Sequence, residues 1–139
     1  MTISSRFAVA IHILSLLEIN KDGRTTSDFI AGSVNTNPVV IRRIMGMLNR
    51  AGLVITNPGV AGASLARDKE RITLLEVYRA VQSDQQEELF AIHEQPNPEC
   101  HVGRNIQGAL ETTFHRAQQA MEQELDKVTL AQIIDQMTE

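Results

Sequence analysis

The chain has 139 residues and a net charge of −4 at pH 7, and 42% of its residues are hydrophobic, 22% charged and 4% aromatic. This length suits one compact domain, and the composition excludes a disordered or fibrous protein. A single cysteine excludes an internal disulfide, and the lack of a long apolar run or a secretory leader predicts a cytoplasmic protein with no membrane partner.

The charge is unevenly divided along the chain. Residues 1–81 hold ten Lys or Arg against six Asp or Glu, whereas residues 82–139 hold three against eleven. This division indicates that the two parts face different partners, although a solvated acidic tail would produce the same difference.

The first part of the chain predicts two helices. Apolar residues recur at helical spacing from Ile3 to Leu17, which predicts a first helix of about four turns. Thr25 or Thr26 is placed to cap a short second helix, because a threonine hydroxyl accepts a hydrogen bond from a free N–H of the first turn. We expect Gly32–Thr36 to break this helix.

A third helix and a hairpin follow. Asn37-Pro38 predicts a helix start, since Asn caps well and Pro at the first helical position has no N–H to leave unpaired. This helix runs to Ala51 and ends at Gly52. Leu53–Ile55 predicts a strand, and Ala63–Arg67 returns antiparallel after a Gly-rich turn. We call this hairpin, residues 53–67, the wing.

The second half predicts a long helix behind a loop. Thr73-Leu74-Leu75-Glu76 matches a capping box and predicts a helix to about Val81, while Pro96 and Pro98 interrupt any helix across the following segment. From about Val102, a long helix has apolar residues at steps of three and four: Ile106, Leu110, Phe114, Ala117, Met121, Leu125 and Val128. Thr129 caps a last short helix, whose expected inward residues are Leu130, Ile133, Ile134 and Met137.

The third helix has two chemically different faces. At 100° per residue, the side around Ile41 is apolar and predicts a core contact by Ile44, Met45, Leu48 and Ala51. The opposite side, which we call the outer face, consists of Val39, Arg42, Arg43, Gly46, Asn49 and Arg50. It contains three arginines and no acid, whereas solvated helix faces usually mix both signs.

Duplex DNA accounts for this outer face. The order of helix, turn, helix and hairpin is that of a winged helix-turn-helix, whose second helix enters the major groove. Arg pairs bidentately with guanine or phosphate, Asn pairs with adenine, and Gly46 permits a close approach. Further candidate DNA contacts are Arg6, Asn35, Thr36 and Asn37. The alternative for the outer face is that its three arginines are simply solvated. The alternative for Asn35, Thr36 and Asn37 is that they are ordinary turn residues.

These residues resemble the Rrf family of bacterial winged-helix regulators, which includes IscR, NsrR and CymR. The resemblance covers nearly the whole chain and is carried by Ser5–Val9, Ile30-Ala31, Arg50–Val54, Leu65–Arg67 and Ile72–Val77. Pro96–Cys100 is most similar to the YwnA subgroup. The resemblance implies a homodimer on a partly palindromic operator, with the long helix crossing between subunits.

The long helix also favours a dimer independently of the resemblance. Its apolar residues could pack against a partner's copy: Ile106, Leu110, Phe114, Ala117, Met121 and Leu125. The alternative is that this stripe covers the chain's own domain.

The wing departs from the family pattern. Family wings usually read Arg-Gly followed by Gly-Gly-Tyr, whereas this one has Pro58-Gly59 and Ala61–Ser64. An arginine contact to the minor groove is therefore in doubt, but backbone N–H groups around Gly59 and Gly62 could still bind phosphate.

Cys100 is the candidate sensor. Cluster-binding relatives have three cysteines before the long helix, so one cysteine predicts no iron–sulfur cofactor, and the spacing of Cys100 to His93, His101 and His115 matches no standard zinc site. The expected position of Cys100, at the N-terminus of the long helix, favours a thiolate that an oxidant can attack. An inert residue in a turn is the alternative.

The sequence thus predicts a mainly α fold with a small β-hairpin, a winged helix-turn-helix plus a long C-terminal dimerisation helix. The expected divisions are a DNA-binding domain at 1–82, a loop and sensor segment at 83–101, and the dimerisation helix with a short last helix at 102–139.

The predicted function is a sequence-specific transcriptional repressor that binds double-stranded DNA as a homodimer and responds to an oxidant or small molecule. A winged-helix module that holds an acidic protein partner, without specific DNA binding, is the alternative. We do not expect an enzyme, because Cys100 and His101 are the only nucleophile and base candidates and adjacent side chains rarely point together.

Overall fold

The computed structural model describes residues 2–56, 62–82 and 90–138. These residues form six α-helices and one two-stranded sheet: α1 (Ile3–Ile19), α2 (Ser27–Val34), α3 (Pro38–Arg50), β1 (Val54–Thr56), β2 (Ala63–Leu65), α4 (Leu74–Ala80), α5 (His101–Asp126) and α6 (Leu130–Met137). A short 3-10 helix, Lys69–Arg71, precedes α4. The prediction of a mainly helical fold with a small hairpin is confirmed.

Side-chain caps begin five of these helices. The capping residues are Thr2, Thr26, Asn37, Thr73 and Thr129. At α4 and α6 the cap is a complete box, because the side chains of Glu76 and Gln132 accept the N–H of the capping threonine. Each such cap stabilises its helix by about 1 kcal/mol. The predicted helix starts therefore agree with the structure to within a residue.

The second helix ends inside the predicted break at Gly32–Thr36, although it does not end at Gly32 itself. α2 continues through Gly32 to Val34 and ends at Asn35, which adopts the left-handed conformation with φ 63°. The N–H of Thr36 then donates to the carbonyl of Ala31 at 3.0 Å. A glycine inside a helix costs only about 1 kcal/mol, and Asn tolerates the left-handed region, so Asn35 provides the better end point.

α3 leads directly into the wing. The helix is followed by Gly52 at φ 76°, and the N–H of Leu53 donates to the carbonyl of Leu48 at 3.0 Å. β1 pairs antiparallel with β2 in the register Val54↔Leu65, Ile55↔Ser64 and Thr56↔Ala63. The strand begins one residue later than predicted because the Leu53 N–H closes the end of α3.

One hydrophobic core joins the first and last helices. α1, α2, α3, β1, α4 and α6 all contribute buried side chains, the largest of which include Ile13, Leu14, Ile30, Ile41, Leu48, Val77 and Leu130. The N-termini of α4 and α6 lie side by side: the Leu74 N–H donates to the Val128 carbonyl at 2.9 Å, and the Leu130 N–H donates to the Ile72 carbonyl at 2.8 Å. The last helix is therefore part of the core that the first 82 residues form.

Two residues predicted to lie in the core are exposed. Ala51 is the C-cap of α3 and faces solvent. Met137 is 55% exposed although it has the same phase as Leu130, because α6 runs past the edge of the core at its last turn. Ala131, which was not predicted, is buried instead. Helical phase gives direction, but it does not say how far a core extends.

α5 is a 26-residue helix with no fully buried side chain, and at 1.5 Å per residue it is about 39 Å long. Six of its apolar side chains are half-buried, and we call them the α5 stripe: Ile106, Leu110, Phe114, Ala117, Met121 and Leu125. Two polar contacts tie α5 to α4: Gln118 Nε2 donates to Tyr78 Oη at 3.4 Å, and Arg79 pairs with Glu122 at 3.0 Å. The stripe is thus only partly covered within one chain.

Across residues 2–56, 62–82 and 90–138, no helix is both long enough and apolar enough to cross a membrane.

Candidate nucleic-acid interface

The two faces of α3 differ in burial as the sequence predicts. Ile41, Ile44 and Leu48 are at most 1% exposed and Met45 is 8% exposed, so this side contacts the core. On the outer face, five residues are exposed and Gly46 is half-buried: the exposed residues are Val39, Arg42, Arg43, Asn49 and Arg50.

The three outer-face arginines carry uncompensated charge. Within the described residues, none of Arg42, Arg43 and Arg50 forms an ion pair. Elsewhere on the surface, Arg67 and Arg79 are each paired with a glutamate. Helix α3 therefore presents a concentrated positive surface that suits a polyanion.

A groove runs between the outer face of α3, the start of α2 and the wing. Its volume is about 470 Å³, and its lining includes Thr25, Ser27, Arg42, Gly46, Asn49, Arg50, Thr56 and Gly62. An added Cβ at Gly46 would be in van der Waals contact with the Arg50 guanidinium at 3.6 Å, so this glycine leaves room in the groove. The groove brings together Arg42, Asn49 and Arg50 from α3 with Gly62 from the wing.

Asn49 also connects α3 to the wing. Its Nδ2 lies 3.5 Å from both the Val54 carbonyl and Thr56 Oγ1. These long, weak hydrogen bonds orient the amide along the groove. An adenine or phosphate contact by Asn49 would therefore compete with the wing for the same donor.

The turn before α3 is built mainly by its own hydrogen bonds. Asn37 Oδ1 accepts the Val39 N–H at 2.7 Å, so this oxygen serves as the helix cap. Asn35 is exposed and left-handed, and Thr36 is half-buried. These three residues do not line the groove, although they border the positive end of α3.

Two other predicted contacts lie elsewhere. The Nε of Arg6 donates to the Val81 carbonyl at 3.1 Å, which places the side chain at the junction of α1 and α4 rather than in the groove. Gly59 lies outside the described residues. Gly62 is described, with φ 112°.

Sequence reasoning missed several groove residues. Thr25 and Ser27 flank the cap of α2, and Thr56 ends β1. Arg24 lies beside the wing, because an added Cβ at Gly62 would be 3.6 Å from Arg24 Cγ. The only sequence feature pointing to this region was the pair of threonines proposed as caps, of which Thr26 is the cap and Thr25 is buried.

Cys100 is held at the start of α5. It is exposed and occupies the N-cap without a side-chain capping bond. Its N–H donates to the Asn97 carbonyl at 3.2 Å, and that carbonyl would lie 2.2 Å from any Cβ at Gly103. Only glycine therefore fits at position 103, and the preceding loop packs directly on the first turn of α5.

The described residues offer no donor set for a metal. Across residues 2–56, 62–82 and 90–138, no three His, Cys, Asp or Glu side chains form a group that could hold a metal ion. His12 is exposed and its Nε2 lies 2.9 Å from Ser33 Oγ, so it joins α1 to α2. The expectation of no iron–sulfur cluster and no metal stays a prediction.

Known proteins similar to this chain are transcriptional regulators. The model of the Rrf2 family, described as an iron-dependent transcriptional regulator, matches residues 3–136. YwnA of Bacillus subtilis (strain 168), named as a candidate HTH-type transcriptional regulator, is 55% identical over 135 residues, which cover 97% of this chain and 98% of YwnA. The iron in the family description does not fit the donor set above, since one exposed cysteine provides a single thiolate ligand.

Solved structures agree with this likeness. A crystal structure of a candidate DNA-binding protein has a TM-score of 0.76 at 48% identity and matches 93% of this chain and 98% of its own. CymR (YrzC), the global cysteine regulator of B. subtilis, shares the fold with a TM-score of 0.68 at 21% identity, over 97% of each chain. The predicted winged helix-turn-helix with a long C-terminal helix is confirmed, as is the expectation that the protein is not an enzyme.

Proposed function

The chain belongs to the Rrf2 family of transcriptional regulators, and from this premise we propose that it represses transcription by binding a specific duplex operator through the outer face of α3. The observation that carries the proposal is the set of three arginines on the side of α3 opposite the core, none of which has an ion pair among the described residues. Solvation of a helix does not require a cluster of arginines, whereas binding to base edges and phosphates does require cationic donors.

The positions of the outer-face residues support contact with both bases and phosphates. Arg42 and Arg50 lie on the groove, and Arg43 lies outside it on the same helix. An Arg in the major groove pairs with guanine O6 and N7, while one at the rim pairs with phosphate. We assign base contacts to Arg42 and Asn49, and phosphate contacts to Arg43 and Arg50.

We further propose that the operator-binding form is a homodimer. The α5 stripe is half-buried along a helix of about 39 Å, and a second copy of α5 would cover the exposed part of each side chain. A twofold dimer presents two copies of α3, so the operator is partly palindromic, with half-sites about one helical turn apart or a multiple of it.

Cys100 is the proposed site of an oxidant response. Its sulfur is exposed at the N-cap of α5, where an oxidant can reach it, and the thiolate is the form of cysteine that oxidants attack. A peroxide transfers one oxygen atom to this thiolate, giving sulfenic acid and releasing hydroxide or an alkoxide. The change at Cys100 would alter the position of α5 in the dimer and thereby the spacing of the two α3 helices.

A salt titration tests the DNA proposal. The purified protein first selects its operator from a random duplex pool, and affinity for that operator is then measured from 50 to 200 mM salt. We expect a loss of roughly a thousandfold or more if six to ten phosphates are contacted. A variant with Arg42, Arg43 and Arg50 changed to Ala should bind weakly at every salt concentration.

The matched control is Arg116→Ala, which removes an exposed arginine from α5 instead of α3. It should bind the operator as the unchanged protein does. No binding of duplex DNA at 50 mM salt would contradict the proposal and favour the module that holds an acidic protein partner.

A further inference from the structure

The one charged residue of the wing is Arg67 at its C-terminal end, and Arg67 is paired with Glu76. The wing nevertheless borders a positively charged groove. From Ala51 to Ala66 the sequence has no Lys, Arg, Asp or Glu. A winged-helix protein places its wing close to the DNA backbone when α3 lies in the major groove. Any charged contact on this side of the interface must therefore come from a neighbouring element.

Arg24 is the neighbouring cation. It lies in the turn between α1 and α2, is exposed, and packs its aliphatic stem beside Gly62: an added Cβ at Gly62 would be 3.6 Å from both Arg24 Cγ and the Thr25 carbonyl oxygen. These distances show that Gly62 of the wing passes close to this turn. Gly62 also has φ 112°, a conformation that favours glycine.

The surroundings leave the guanidinium of Arg24 available. No ion pair or hydrogen bond of its side chain occurs among residues 2–56, 62–82 and 90–138. In the same turn, Lys21 pairs with Glu18 at 3.3 Å, a carboxylate that Lys69 also approaches at 3.9 Å. The two cations of one turn thus differ in that only Lys21 has a carboxylate partner.

Arg24 also lies next to the groove. It is beside Gly62 and precedes Thr25, and both of these residues line the groove together with Arg42, Asn49 and Arg50. A duplex seated with its major groove on α3 would therefore bring a phosphate backbone near Arg24.

We infer that Arg24 binds a DNA phosphate beside the wing and supplies a cation there, because the wing's own Arg67 is paired with Glu76. The inference rests on the proposed function, because it assumes that α3 engages duplex DNA. It makes Arg24 a residue that sets affinity and register and reads no base.

The test measures the salt dependence of operator binding for Arg24→Gln. Loss of one phosphate contact should lower the slope of log affinity against log salt by about one and weaken binding roughly threefold to tenfold at low salt. The loss should be the same for the operator and for unrelated duplexes. Arg24→Lys should restore most of the slope, since phosphate accepts either cation.

Lys21→Gln is the matched control, because it removes the same charge from the same turn at a residue that is already paired. Its salt slope should equal that of the unchanged protein, and the thermal midpoints of all three variants should agree. If Arg24→Gln leaves the slope unchanged, or Lys21→Gln lowers it equally, the inference is overturned while the proposed function stands.

A loss that depends on the bases flanking the operator would assign Arg24 to a groove edge and would also overturn the inference. Failure of the unchanged protein to bind duplex DNA at all would contradict the proposed function itself.

Discussion

The outer face of α3 presents both cationic and apolar side chains, and each kind leads to its own prediction. Arg42 lies on the groove and is free of carboxylates among the described residues, which suits a bidentate contact to guanine. We expect Arg42→Ala to weaken operator binding by about 1–3 kcal/mol and to relax the preference at one base pair. Binding assays across single-base operator variants check this; an equal loss on every variant would assign Arg42 to phosphate.

Val39 is the apolar side chain of the outer face. It is 53% exposed on the first turn of α3. A thymine methyl group is the apolar feature of the major groove, so we expect Val39 to contact one. Replacing that thymine by deoxyuridine should weaken binding about threefold to fourfold, since one buried methyl group is worth roughly 0.8 kcal/mol.

Val39→Ala provides the comparison for this contact. It should bind the thymine and deoxyuridine operators almost equally, because the methyl group has lost its partner. An unchanged protein that ignores the substitution at every thymine of the operator would show that Val39 makes no such contact.

Glu76 gives a pH dependence at the base of the wing. Burial alone raises the pKa of its carboxyl, but hydrogen bonds from Arg67 and Thr73 and the charge of Arg67 outweigh burial and hold the pKa below its ordinary value of 4.5. A lowered pKa in the folded state means that the ionised carboxylate stabilises the fold at pH 7. This stabilisation is lost as the pH falls below about 4.5.

We expect Glu76→Gln to lower the free energy of unfolding at pH 7 by less than about 1 kcal/mol, because the carboxylate is 39% exposed and screened by water. The difference should shrink towards zero in urea titrations carried out at successively lower pH. Glu70→Gln, at an exposed carboxylate on the neighbouring 3-10 helix, should show no such trend. A difference that persists in strong acid would mean that the capping geometry, and not the charge, is responsible.

Residue positions could be predicted where one element determines them. The faces of α3 follow from helical periodicity alone, and the structure agrees for Ile41, Ile44, Met45 and Leu48. The contact between Arg24 and Gly62 could not be predicted, because it depends on how two segments far apart in sequence pack together. The position of the Arg6 side chain could not be predicted for the same reason, because its partner is the carbonyl of Val81 at the end of α4.

Helix starts were the best predicted features at the scale of elements. Capping threonines and Asn37-Pro38 act within one turn, so sequence contains nearly all the information about them. Helix ends depend on tertiary context, which is why α2 passes through Gly32 and α6 runs past the core at Met137. The position of α6 could not be read from sequence, since periodicity gives an apolar face and no partner for it.

The burial of α6 leads to an expectation about stability. Leu130 is fully buried in the core that α1 and α4 share. We expect Leu130→Ala to lower the free energy of unfolding by about 2–5 kcal/mol, and to weaken operator binding only through the unfolded fraction. Denaturant unfolding followed by circular dichroism measures the first effect. Met137→Ala, at the exposed end of the same helix, is the control and should be nearly neutral.

At the scale of the whole molecule, side-chain contacts through α4 connect α1 to the long helix α5. Phe7 of α1 contacts Tyr78 of α4 edge-on at 5.5 Å, and Tyr78 and Arg79 contact Gln118 and Glu122 of α5. Movement of α5 in an assembly would therefore reach α1 through a short chain of contacts.

Assembly through α5 can be tested by two charge substitutions. We expect Leu110→Glu, on the α5 stripe, to dissociate the dimer, because it places a carboxylate in the apolar contact. Sedimentation velocity should then give the mass of one chain, and operator affinity should fall to that of a half-site. Gln107→Glu adds the same charge at an exposed position off the stripe and should leave the mass unchanged. A single-chain mass for the unmodified protein at assay concentrations would contradict the dimer.

Backbone hydrogen bonds join the segments around Thr73 and Thr129. This junction affects the order in which the core forms during synthesis. On the ribosome, residues 1–82 emerge well before Leu130 and Ile134, which fill the same core. A nascent chain that has released only its N-terminal part still exposes the apolar surface that these two side chains later cover. The core is therefore completed only after α6 has left the exit tunnel and docked.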